Sequence, residues 1–103
     1  DTNTVTELLA EKYAKDALQL RAPFSLLFDH LDHIVKLIGT EHVGLGSDFD
    51  GITSTPQRLN DVTDFPLITQ ELLRRGYTRQ QIKGILGGNF LRLFETVEKS
   101  AHP

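Results

Sequence analysis

The chain has 103 residues, 39% of them apolar and 24% charged, with 11 Lys and Arg against 14 Asp and Glu for a formal net charge of −3. That composition is ordinary for a single globular domain with a modest core, and the interspersed acids and bases leave no basic stripe for nucleic acid or an anionic membrane surface. The absence of cysteine excludes a disulfide framework, a thiolate metal site and a cysteine nucleophile; no stretch is apolar enough to span a bilayer, and DTNTVTELLAEKYAKD is too charged for a signal peptide.

From Thr4 to Ala22, Val5, Leu8, Leu9, Tyr13, Ala17 and Leu20 recur at helical intervals, predicting one amphipathic helix. Pro23 interrupts it, because proline cannot supply the amide a continuing helix needs, yet it suits the first turn of a new one. A second helix is expected to about Ile38, with Phe24, Leu27, Phe28, Leu31, Ile34, Val35 and Ile38 on one side and Gly39 closing it. HVGLGSD, residues 42 to 48, then has the short apolar composition of a fully buried strand.

Residues 49–63 are rich in Gly, Thr, Ser, Pro and Asn, a loop of a length more often functional than idle. Asp64, Phe65 and Pro66 mark a third helix start, with Leu67, Ile68, Leu72 and Leu73 on its apolar face and Gly76 as its stop. Thr78 and Gln81 form a capping box for a fourth helix, which should pause at Gly87 and Gly88. Asn89 is placed to cap a last helix through Phe90, Leu91, Leu93, Phe94 and Val97. About five helices around one strand leave both edges of that strand unpaired, so the chain reads as part of something larger.

Asp48 stands at the carboxyl end of the expected strand, where α/β proteins place ligand-binding and catalytic groups. Two roles stay open from spacing alone: a carboxylate that binds a metal or moves a proton, or one that caps the loop by accepting backbone amides. Asp50, followed by Gly51, reads as a turn residue. An EF-hand loop counted from Asp48 is excluded by Thr53 and Leu59 at its sixth and twelfth places. His30 and His33 in DHLDH read as a solvated helix face, not a zinc pair. His42 lies at the far end of the strand from Asp48, and His102 in a fraying tail. Gly44 and Gly46 do not form a phosphate loop, and no histidine is placed to activate Ser47.

The run HLDHIVKLIGTEHVGLGSDFDGI, followed by DVTDFPLITQELLRRGYTRQQIKGILGGNFLRLFETVE, closely resembles the C-terminal end of the membrane dipeptidase (renal dipeptidase) family of zinc metallopeptidases, in the amidohydrolase superfamily. This resemblance covers about His30 to Glu98 and is much weaker before Phe28. It implies an α/β fold class: a C-terminal fragment of a (β/α)8 TIM barrel, in which residues 1–28 are a variable lead-in helix and 29–103 supply the penultimate helix, the eighth strand and closing helices. Such a barrel normally takes about 250 residues.

The same resemblance implies hydrolysis of small dipeptides with two zinc ions, held by a His-x-Asp pair, a bridging glutamate and two further histidines that have no counterpart in this chain. Asp48 matches the family's aspartate at the end of the eighth strand, which takes a proton from the attacking water and delivers it to the leaving amine. Asp50 and Gly51 carry over as loop-shaping residues, and Asn89 of GGN as a helix cap. The implied partners are a dipeptide substrate and the rest of the barrel, and a homodimer is compatible with them. The rival readings are an amidohydrolase acting on lactam or D-amino-acid amide bonds and a non-catalytic helical interaction domain.

Overall fold

The computed structural model describes residues 2–101, and for residues 14–19 the backbone alone, so the expected inward face of Ala17 and the position of His102 lie outside what is described. Five α-helices follow one another: α1 (Thr2–Gln19), α2 (Phe24–Ile38), α3 (Phe65–Arg74), α4 (Arg79–Lys83) and α5 (Asn89–Ser100). Short 3-10 turns lie at Thr40–His42 and Val62–Asp64, and a wide π-type turn, kinked at Gly87, joins α4 to α5. Among the described residues no helix is long and apolar enough to cross a membrane.

Helix ends follow local chemistry. Pro23 precedes α2, where its fixed φ of −57° leads into the first turn, and Gly39 ends it at φ +84°, a left-handed value that costs glycine least. Gly76 turns the chain after α3 in the same way, at φ +92°. The Thr78 and Gln81 box is complete: each side chain accepts the other residue's backbone N–H, at 3.1 and 2.9 Å. α3 starts at Phe65, within the Asp64, Phe65 and Pro66 run expected to open it, and the 3-10 turn before it is capped by Asp61, whose side chain accepts from Thr63 N at 2.8 Å while Asp64 reaches back to Asn60 N and Asp61 N.

Phe28, Leu31, Val43, Leu59, Ile68, Leu72, Ile82 and Ile85 form the core, drawing α2, α3, α4 and the intervening segments together. α2 and α3 are also joined by charge. Arg75 pairs with Asp32 at 2.6 Å, Asp29 at 3.0 Å and Glu71 at 2.9 Å, donates to Ser25 O at 3.1 Å, and lies over the Phe28 ring. Tyr77 donates its hydroxyl to the second oxygen of Asp32. Partial burial works to raise the Asp32 carboxyl, but the hydrogen bonds from Tyr77 and Arg75 outweigh it and hold the group below the usual carboxylate range. The same burial, helped by the Asp32 charge, pushes Tyr77 up to about 12, and hydrogen bonds from Arg74 and Arg75 bring Glu71 down to about 2.

Two expectations change. The segment expected as a buried strand forms no β-ladder, and the described residues are helical with extended connections instead of α/β. Val43 is extended (φ −115°, ψ 138°) and buried, but Gly44, Gly46, Ser47 and Asp48 are exposed. The reason is the one the sequence raises: a strand exists through neighbours that take its amides and carbonyls, and no described segment lies alongside to do so.

Asn89, expected as the cap of α5, is itself helical (φ −63°, ψ −44°) and makes no side-chain cap bond. Its carboxamide instead donates to Thr40 O at 2.7 Å and Val43 O at 2.8 Å, tying the start of α5 to the root of the extended segment. With the chain continuing from α4 through the π-type turn, few helix donors are left open for a cap to satisfy.

Much apolar surface stays uncovered. Val5, Leu8, Leu9 and Tyr13 of α1 and Phe90, Leu91, Leu93, Phe94 and Val97 of α5 are all exposed. The radius of gyration is 18.3 Å, whereas a compact chain of this length has about 13 Å.

Candidate functional site

The extended segment delivers Asp48 to a tight turn. Asp48 O accepts from Gly51 N at 2.9 Å, closing the four residues Asp48, Phe49, Asp50 and Gly51. Asp48 takes a left-handed conformation, φ +88°, which Asp tolerates better than most residues because its short polar side chain can bond locally. Its carboxylate folds back over Gly51: a Cβ on that glycine would lie 2.2 Å from Asp48 Oδ1, so residue 51 has room for no side chain while Asp48 keeps this rotamer.

Phe49 meets Phe65 at the start of α3, ring centroids 6.0 Å apart. That contact anchors the turn to the core side and leaves both acids outward. Asp48 and Asp50, with Ser47 and Phe49, line a shallow open cavity of about 340 Å³ whose opposite wall is Asp61 and Val62. The capping interactions of Asp61 and Asp64 fix that wall to the first turn before α3.

Loop 49–63 is held from the far side by Arg21, in the extended link between α1 and α2. Its guanidinium donates to Thr55 O at 2.7 Å, Pro56 O at 2.6 Å and Asn60 Oδ1 at 2.8 Å, with Thr55 Oγ1 at 3.2 Å. Gln57 returns two bonds, from its backbone N to Ala22 O and from its side chain to Arg21 O, and Arg58 lies over the Phe24 ring. Asp61, Val62 and Arg21 carry no signature in sequence beyond the Asp-x-x-Asp spacing of the cap, so their place at the site comes from the fold.

The histidines are elsewhere. His30 and His33 are exposed on α2, and His42 sits in the 3-10 turn at the opposite end of the extended segment from Asp48. Among the described residues no three His, Asp or Glu side chains converge closely enough to hold a metal ion, so these donors do not themselves fit a zinc centre. What the turn offers is an exposed carboxylate beside a small cavity, a group able to accept and return a proton.

The sequence model of the membrane dipeptidases, peptidase family M19, matches residues 5–103. The chain belongs to the membrane dipeptidase family. Dipeptidase 3 of Rattus norvegicus is 46% identical over 80 residues, 78% of this chain and 16% of that protein. Dipeptidase 3 of Homo sapiens is 44% identical over the same shares, and Dipeptidase verJ of Clonostachys rogersoniana is 49% identical over 71 residues, 69% of this chain and 18% of that protein. The chain thus spans about a sixth of the length of the curated relatives it matches. As a membrane dipeptidase relative, it places Asp48 and Gly51 of the family-like GSDFDG run in one turn, and Asn89 of GGN against the root of the segment leading there.

Proposed function

We propose that this chain is the C-terminal portion of a zinc-dependent dipeptidase barrel and that Asp48 is its proton carrier. The observation that carries the role is the turn: Asp48 is held outward at a cavity mouth by its own hydrogen bond to Gly51 and by Phe49 packed on Phe65. In the proposed reaction a water oxygen bonds to the carbonyl carbon of a dipeptide as Asp48 takes the water's proton. The C–N bond then breaks and the same proton passes to the leaving amine, so Asp48 ends the cycle as it began. The metal ions that family membership suggests would be held by residues outside this chain.

Support for the larger barrel comes from what this chain leaves open. Among the described residues the extended segment has no strand beside it, and the apolar side chains of α1 and α5 are exposed. In the proposed barrel the segment at 42–48 is the eighth strand and gains its ladder from neighbouring strands, with residues 1–28 leading in and 29–103 closing the ring.

The test uses the full-length protein purified with zinc. Asp48→Ala should keep its metal content and lower kcat for dipeptides by roughly 10²- to 10⁴-fold. Full activity in that variant would remove Asp48 from the reaction. A panel of dipeptides, lactams and D-amino-acid amides identifies the scissile bond.

A further inference from the structure

The Arg21 side chain makes four hydrogen bonds, and all of them converge on one loop. It reaches across 34 to 39 residues to Thr55, Pro56 and Asn60, using a main-chain carbonyl of each of the first two and the side-chain carbonyl of the third. Asn60 directly precedes Asp61 and Val62, the wall facing Asp48 across the cavity, and Asn60 N is itself held by Asp64 Oδ2 at 2.8 Å. The wall therefore has two anchors: the cap before α3 on one side and Arg21 on the other.

We propose that Arg21 is a positioning residue that holds the 55–62 loop as a preformed substrate wall opposite Asp48. A planar guanidinium suits this, because its fork presents several donors at fixed angles to carbonyl oxygens that a lysine ammonium could not satisfy together. Arg21 does not line the cavity and touches neither Asp48 nor its turn partner Gly51. Asp48 is oriented independently, through Gly51 and the Phe49–Phe65 contact. Loss of Arg21 therefore leaves the proton carrier in place but makes the wall pay its ordering entropy when substrate binds, a cost that shows in KM and spares kcat.

The proposal rests on the dipeptidase reading, and its test separates the two. In the full-length protein, Arg21→Ala, Arg21→Lys and Asn60→Ala are compared with wild type by hydrogen exchange at residues 55–62 and by kcat and KM for L-alanyl-L-alanine. Arg21→Ala should speed exchange across the loop and raise KM roughly tenfold, the effect of losing a charged hydrogen-bonding group, with kcat within about threefold. Arg21→Lys, which keeps a cation and some of the donors, and Asn60→Ala, which keeps the fork but removes one of its acceptors, should fall between. A merely structural role would lower the active fraction, and with it kcat, while leaving KM alone. That result, or unchanged exchange in all three variants, overturns the proposal. Faster exchange in Arg21→Ala together with no dipeptide turnover by wild type would refute the dipeptidase reading and the substrate part of this inference, while upholding the clamp.

Discussion

The two roles of Asn89, a helix cap in sequence and a bridge in structure, make opposite predictions for one substitution. The carboxamide supplies two N–H donors to Thr40 O and Val43 O, at 2.7 and 2.8 Å, and Val43 is only 7% exposed. At about 1 kcal/mol for each neutral hydrogen bond, Asn89→Ala should cost about 2 kcal/mol in the intact protein, against about 1 for losing a cap. Asn89→Asp decides the matter. Asp caps helices as well as Asn does, so a cap would be nearly unaffected. A bridge would suffer at least as much as in the alanine variant, because a carboxylate has no donors and would face two carbonyl oxygens. Urea denaturation followed by circular dichroism, with the m-value checked for constancy, measures both variants. Asn89→Asp at wild-type stability would refute the bridge.

Two further predictions concern the turn and the helix clasp. Gly51→Ala puts a methyl 2.2 Å from Asp48 Oδ1; the carboxylate, being the flexible end of its side chain, should swing away, lowering kcat by about 10² while stability changes by less than about 1 kcal/mol, as kinetics and melting of the same preparation would show. For the clasp, Tyr77 is raised to about 12 in the fold from about 10 in an unfolded chain. The fold therefore binds the phenolic proton more tightly: the associated stability is complete below about pH 10 and is lost as pH rises toward 12. Asp32 and Glu71 are depressed, so their contribution is complete above about pH 4 and is lost as pH falls, for Glu71 down to about 2. Tyr77→Phe should be less stable at pH 7 and should fall less steeply than wild type between pH 10 and 12 in urea titrations; an equal slope would show that Tyr77 does not carry the alkaline limb.

Much of the local architecture was legible in the sequence because its causes lie within a few residues. The ends of α2 and α3 were signalled by Gly39 and Gly76, both left-handed in the structure, and the α4 start by Thr78 and Gln81, whose reciprocal bonds formed as expected. The family was legible too, through the GSDFDG and GGN runs, and the family match over residues 5–103 agrees with it. The strand expected at 42–48 did not form, since its composition describes a buried environment that the described residues do not provide.

What only the tertiary structure decided is which distant groups each polar side chain meets. Arg21 gave no sign of binding a loop more than thirty residues on, DHLDH did not reveal that Asp29 and Asp32 face Arg75, and Asn89 looked like any cap. Capping and periodicity are short-range and repeat in every protein, so a single sequence displays them. A hydrogen bond between residues 21 and 60, or 43 and 89, depends on chain elements arriving together, and the donor's identity says only that it needs an acceptor, not which one.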